Sequence, residues 1–384
     1  MSNVDIVVQL STTALTGSTP RKFVPDPVKS LQTYTHTNKA IGGFYSANLS
    51  FLVGFSDVNF WYSNGLGMHV QTYNHAAILI WEGFVNKMSV SVGGLSFSLG
   101  PLLDVANRVR VDYQTQTWNT NPPIPGMAAS TAWSDLDDSQ DKYGIFEQIV
   151  SGGQCSSNEA TLKLQNYLLA QGWPTGDRQI DVSAGEESGS IVVTLECLGY
   201  WSILDTYYFS QSASSTENAS VKFAAAVAAQ PNAIFSTDIA ENTSQVGRFE
   251  DGSRKALTVI DDLLDARDGS GNQFLAGCRE NREVYYEEIA DEVLYSISLT
   301  DVRRTVRLIR GLSVVYNWDV KAGQFVIVPE LTPAGDTSIS NTTSAGRIER
   351  VFIESATYRL PWQVSITGNK FSGIAGRLSK RGLI

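Results

Sequence analysis

The hydrophobic and polar positions of this chain alternate more often than they recur at helical spacing. Val4, Ile6, Val8 and Leu10 share one parity, the mark of a strand whose side chains point alternately to two faces. Residues 11–30 hold Ser, Thr and the three prolines Pro20, Pro25 and Pro27, and read as an arm or loop. From Gly42 to Tyr113 the pattern is β-like throughout. "GMHVQTY" and "ILIWEGFV" flank the polar turn "NHA" as a hairpin, and "KMSVSVGGLSFSLG" folds back around Gly93-Gly94. "PLLDVANRV" predicts a short helix opened by Pro101, followed by the strand "RVDYQ".

Residues 114–140 lose the period and contain "NPPIPG", which predicts a long loop. Helical spacing then appears. Ser156 and Glu159 stand at capping-box distance, Ala160, Leu164, Tyr167 and Leu168 form a stripe, and Gly172 with Pro174 ends it. A second β block covers residues 178–210. Its segment 190–209 has the layout of 94–113 (hairpin arm, short amphipathic piece, aromatic strand), the outline of an internal duplication. Residues 211–299 differ. "VKFAAAVAAQPN" predicts a helix stopped by Pro231. "SRKALTVIDDLLDARDG" predicts a stronger one, with Leu257, Ile260 and Leu264 on one face and Gly269 just past its end. From Tyr295 the chain turns β again, and its last fourteen residues are basic and mildly amphipathic.

Composition narrows this to a folded, polar, weakly charged protein: 42% of residues are hydrophobic, 18% charged, and the net charge is −10. Such a balance opposes a phosphate-gripping surface. Acidic residues concentrate between Glu250 and Asp301, thirteen against five Lys and Arg. The start carries neither a basic n-region nor an apolar h-region, so no signal peptide is expected, and no apolar run long enough to span a membrane occurs. Cys155, Cys197 and Cys278 are odd in number and widely spaced, as in buried reduced thiols of a cytoplasmically assembled protein.

Candidate chemistry is sparse. His69 shares a strand face with Gln71 and Tyr73, His75 lies in the turn, and Glu82 sits on the partner strand. A metal needs ligands that converge. These point apart, and His36 lies elsewhere, so both hairpin histidines read as solvated or locally bonded. The chain holds no HExxH, no G-x-S-x-G and no GxxxxGK[ST]. Asp268, Ser270 and Asn272 have calcium-loop spacing, but Gln273 stands where Gly is needed and Arg279 where Glu is needed. A glycosidase carboxylate pair is a matter of spatial separation, which leaves an enzyme or carbohydrate-binding β protein as an open alternative. "ENREVYYEE" is a charged, aromatic element face, and the tail with Arg377, Lys380 and Arg381 suits either an acidic neighbour or solvent.

Four stretches in order resemble the tail hub proteins of tailed bacteriophages. They are "GFYSANLSFLV…GLGMHVQTYNHAAILIWEGFVNKMSVSVGG", "DSQDKYGIFEQIVSGGQCSSNEATLKLQNYLLAQGWPTGDRQI", "ALTVIDDLLDARDGSGNQFLAGCRENREVYYEE" and "TSAGRIERVFIESATYRL", together spanning most of residues 40–360. The resemblance implies a β-dominated α+β fold with two tail-tube-like β-sandwich or barrel domains plus smaller inserted mixed domains. Residues 1–113 would be the first tube-like domain and 114–179 a lateral domain. Residues 180–210 with 300–370 would make the second tube-like domain, with 211–299 inserted and 371–384 a basic tail. It further implies a homotrimer in the virion tail that joins tail tube to tail tip or baseplate. The implied partners are a tube or distal tail protein, a tip fibre or spike protein and a tape measure protein. DNA would be passing cargo only, with no membrane partner, no cofactor, no metal and no catalytic residue. A hexameric distal tail adaptor is the alternative within that group. Trp81, Phe84, Phe371, Ile374, Leu378 and Arg381 are the expected core or interface residues.

Overall fold

The computed structural model describes residues 7–11, 23–24, 31–74, 77–92, 95–117, 124–180, 191–213, 215–232, 236–289, 293–297, 308–310, 313–315, 322–327, 351–359 and 363–370. It is a β-dominated α+β fold. The strands that matter below are β1 (Val7–Ser11), β2 (Leu31–Lys39), β3 (Gly42–Val53), β4 (His69–Tyr73), β5 (Leu79–Val92), β6 (Leu95–Leu99) and β7 (Arg108–Thr117). They continue with β8 (Glu147–Gln154), β9 (Gly176–Ile180), β10 (Ile191–Leu198), β11 (Phe274–Arg279), β12 (Glu283–Glu288), β13 (Val351–Arg359) and β14 (Gln363–Lys370).

One twisted sheet runs β1–β4–β5–β10–β3–β2–β13–β14, antiparallel throughout. The far half of β5 also pairs β6, and β6 pairs β9. Both hairpins expected from the alternation are present, with Val70 opposite Gly83 and Met88 opposite Leu99. Segments distant in sequence meet here. β10, expected in the second tube-like domain, is the central strand between β5 and β3, and β13 closes on β2. The two segments with a shared layout also run alike: strand, single 3-10 segment, strand, with Leu102–Asp104 in one and Tyr200–Asp205 in the other.

The loop expected over 114–140 is more ordered than its pattern suggests. Ile124–Ser130 pairs with β7, and Asp137–Tyr143 is helical. "IPGMAAS" has no alternation of its own; its strand is imposed by the neighbour, as tertiary pairing overrides weak β propensity. "PLLDVANRV" forms only the single turn Leu102–Asp104.

Among the described residues, three helices of ten residues or more pack against these strands. α1 (Ser157–Gln171) starts at the expected capping box, with Ser156 and Glu159 satisfying each other's orphan donors. Its stripe of Ala160, Leu164 and Leu168 packs on Val109 and Val111 of β7. α2 (Ala219–Ala228) and α3 (Ala256–Asp265) bury Phe223, Val227, Val259, Ile260, Leu263 and Leu264 against Phe274 and Tyr286 of the β11–β12 hairpin. α3 ends at Asp265, four residues before Gly269. Asp268 closes the following loop, accepting from the Ser270 and Asn272 amides at 2.9 and 2.8 Å, and Gly271 takes the left-handed conformation.

A buried ion pair ties α2 to the strand Glu250–Lys255. Lys222 Nζ donates to Glu250 Oε1 at 2.5 Å and to the Gly247 carbonyl at 2.7 Å, both side chains being under a tenth exposed. Breaking such a pair leaves an uncompensated charge in the interior. Glu250→Ala is therefore expected to cost about 3–5 kcal/mol in chemical denaturation.

Candidate functional site

β5 is a wall between two cores, and its sequence alternates accordingly. Trp81 and Val85 enter a core with Met68, Val70, Leu49, Phe51, Val193 and Leu195. Phe84 enters the other, with Tyr200, Phe146, Phe274 and Tyr286. Trp81 and Phe84 are both fully buried, whereas Phe371, Ile374, Leu378 and Arg381 lie outside the described residues.

On the Phe84 side the hairpin's polar groups converge, which corrects the expectation that they point apart. His69 Nε2 stands 3.4 Å from Glu82 Oε1, and His69 Nδ1 lies 2.5 Å from Tyr200 Oη. With the ring proton on Nε2, the Tyr200 hydroxyl donates to Nδ1. Glu82 Oε2 accepts from the backbone N–H of Asn281 at 2.7 Å, and the Arg282 guanidinium lies 4.5 Å from the Tyr200 ring centroid. The expectation failed because it assumed one face of an antiparallel sheet to be solvated. Here that face is covered by Tyr200–Asp205 and by the turn between β11 and β12, neither near the hairpin in sequence.

Burial governs the charges in this node. It depresses the His69 imidazole to about 3, with Arg282 pushing the same way and a bond to the Gly83 backbone opposing. It raises the Glu82 carboxyl, against the pull of Arg282, the Asn281 and Arg282 amides and Gln71. The Tyr200 phenol is pushed up as well, again by burial first. This arrangement holds neutral imidazole and phenol groups. Among the described residues no three His, Cys, Asp or Glu gather to hold a metal ion. His75 lies outside the described residues. His36 sits apart on β2, buried, its ring stacked on Tyr358 of β13 at 4.4 Å. Cys155, Cys197 and Cys278 are free and buried. An open cleft of about 340 Å³ is lined by Asp104, Glu147, Asp205 and Lys255, the last spent on the Glu147 carbonyl at 2.9 Å.

The other face of the sheet carries the larger pattern. One cross-strand row reads Thr33, Ser50, Thr194, Ser89, Ser98 over β2, β3, β10, β5 and β6. A second reads Arg359, Thr35, Asn48, Glu196, Lys87 from β13 to β5. A third reads Thr357, Thr37, Ser46. Hydroxyls bond across strands, Thr33 to Ser50 at 2.6 Å and Thr37 to Thr357 at 3.0 Å. Lys87 and Glu196 approach to 3.9 Å. With Lys39 beside Ser355, the described side chains of this face include Lys39, Lys87 and Arg359 with Glu196. Its charges are few and scattered over separate strands, with Lys87 beside Glu196. Directly behind it, on the opposite parity, lie the fully buried Leu49, Phe51, Val193, Leu195, Met88 and Val90.

No family model and no curated protein matches the chain. Among solved structures it is similar to the 43 kDa tail protein of prophage MuSo2 from Shewanella oneidensis, at 7% identity and a TM-score of 0.37 over 94% of this chain and 95% of that one. It is also similar to a tail protein from Neisseria meningitidis MC58, at 6% identity and a TM-score of 0.40 over 95% of this chain and 97% of that one. At those scores neither likeness transfers a role or a residue.

Proposed function

We propose that this chain is a structural subunit of a bacteriophage tail, a hub-type ring protein that joins tube to tip and turns the hydroxyl-bearing face of its sheet to the DNA passage. The observation that carries the reading is that face. A sheet with an apolar core behind it and open rows of Ser, Thr and Asn in front, assembled from strands of both chain ends, suits a wall past which something hydrated must move. The ordered resemblance of four sequence stretches to tail hubs supports the same reading.

Passage without retention follows from charge. DNA affinity is dominated by Lys and Arg contacts that release counterions, and this face offers only Lys39, Lys87 and Arg359, on separate strands and with Lys87 beside Glu196. Its hydroxyls exchange water for phosphate at little net gain. The sheet face would avoid holding DNA by presenting rows of hydroxyls in place of a continuous row of cations. Ser50→Lys, Thr194→Lys and Ser89→Lys together are expected to leave ring formation intact and to produce salt-sensitive retention of duplex DNA that the natural chain lacks, in a filter-binding assay.

Mass photometry of the purified chain tests the assembly. Trimers are expected. Sixfold rings would move the chain to the distal adaptor role, and a monomer at micromolar concentration would count against a ring protein. The partners in this reading are a tube or distal tail protein above, a fibre or spike protein below and a tape measure protein within.

A further inference from the structure

Besides the apolar core in which Phe84 lies with Phe274 and Tyr286, three backbone and polar contacts join the β11–β12 hairpin to the N-terminal sheet. Gly42 and Gly43 pair in parallel with Gly277 and Cys278. That approach needs glycine, since a Cβ on Gly43 would meet the Cys278 carbonyl oxygen at 2.2 Å. Tyr285 Oη donates to the Ala40 carbonyl at 3.4 Å. The third contact is the turn Glu280–Arg282 itself, closed over Glu82.

That turn is built against local preference. Asn281 and Arg282 both have left-handed backbones, with φ of 62° and 57°. Tight hairpin turns need two such residues and favour Asn followed by Gly. Asn281 fits, but Arg282 holds a conformation that a long side chain adopts at a cost. What holds it is opposite: two consecutive N–H groups aimed at one carboxylate form an anion cradle. Glu82 fills that cradle while the Arg282 guanidinium covers Tyr200. The turn's conformation and the occupied cradle therefore depend on each other. β11 itself pairs with β3 over two residues, Gly277 with Gly42 and Cys278 with Gly43.

We propose that the Glu280–Arg282 turn is a releasable latch: it keeps the β11–β12 hairpin on the N-terminal sheet while Glu82 sits in its cradle, and its release opens that seam at Cys278 without unfolding the separate core around Trp81, Val193 and Leu195. The latch gives the inserted segment a defined point of detachment.

The three buried thiols supply the test. Cys278 lies at the seam, Cys197 on β10 in the sheet core, and Cys155 beside α1. In the intact chain, Glu82→Gln and Glu82→Ala are expected to speed maleimide labelling of Cys278 about tenfold or more, the loss of a charge-assisted bond. Peptide mass spectrometry should find Cys155 and Cys197 unchanged. Equal acceleration at all three thiols, or none at Cys278, would overturn the latch. Native-state hydrogen exchange on the unmodified chain gives a second reading that does not depend on the variants folding. The amides of Gly277, Cys278, Asn281 and Arg282 should exchange as one unit, well before those of Val193 and Leu195. Exchange of both groups only through global unfolding would contradict the proposal.

Discussion

Acidification below pH 6.5 is expected to destabilise this fold steeply. His36 and His69 are both held neutral by burial, each with its folded value near 3 against an ordinary value of 6.5. The sign follows from proton uptake. Above pH 6.5 neither the folded nor the unfolded chain protonates these rings. Below it the unfolded chain takes protons that the folded chain refuses, and stability falls by about 1.4 kcal/mol per pH unit for each ring. The loss ends only when the folded rings titrate, near pH 3. Glu82 works in the other direction, because its folded value is raised and its protonation favours the folded state as pH falls. Asp205, raised by burial, acts as Glu82 does, whereas Glu159 and Asp251, lowered by hydrogen bonds from Ser156 and Ser253, act with the histidines, so the carboxyls offset one another and the two rings set the net loss. His36→Phe keeps a ring on Tyr358 and removes one titration, so it should roughly halve the slope in urea melts taken across pH. A stability profile that stays flat below pH 6.5 would show that these rings protonate in place.

Trp81→Ala is expected to cost roughly 3–5 kcal/mol, the range for emptying a fully buried large aromatic site. Trp81 is among the largest fully buried side chains, and its strand cannot shift to fill the space. Gly83 beside it already lies so close to the Leu198 backbone that a Cβ there would stand 2.1 Å from the carbonyl oxygen. Trp81→Phe should cost much less. The buried indole N–H has no hydrogen-bond partner among the described residues, so its removal forfeits no bond. Thermal melts of the two variants separate these cases, and an alanine variant as stable as the phenylalanine one would mean that the core closes around the gap.

The local elements were legible where period and punctuation agreed. The capping box at Ser156 and Glu159, the hairpin about "NHA" and the helices ahead of Pro231 and at Leu257–Leu264 all stand where the pattern puts them. The surfaces were not legible, because each is made by strands far apart in the chain. Ser89, Ser91, Ser96 and Ser98 alternate visibly in sequence. Only the insertion of β10 and the closure of β13 on β2 turn that alternation into a continuous hydroxyl face. The polar node failed for the same reason. His69 and Glu82 could be placed on neighbouring strands, but Tyr200 and Arg282 arrive from 131 and about 200 residues further along. A signal did exist: Asn281 and Arg282 follow a strand-like run in "AGCRENREVYYEE", where a tight turn brings exposed amides to one point.

The central claim is that this chain forms a ring whose hydroxyl-bearing sheet face lines the opening. A reconstruction of the purified assembly, computed without imposed symmetry, tests it most directly. The account predicts threefold rings with Asn48, Thr194 and Thr357 facing the central passage. A ring with those residues turned outward or buried against a neighbour, or particles with no central opening, would contradict it.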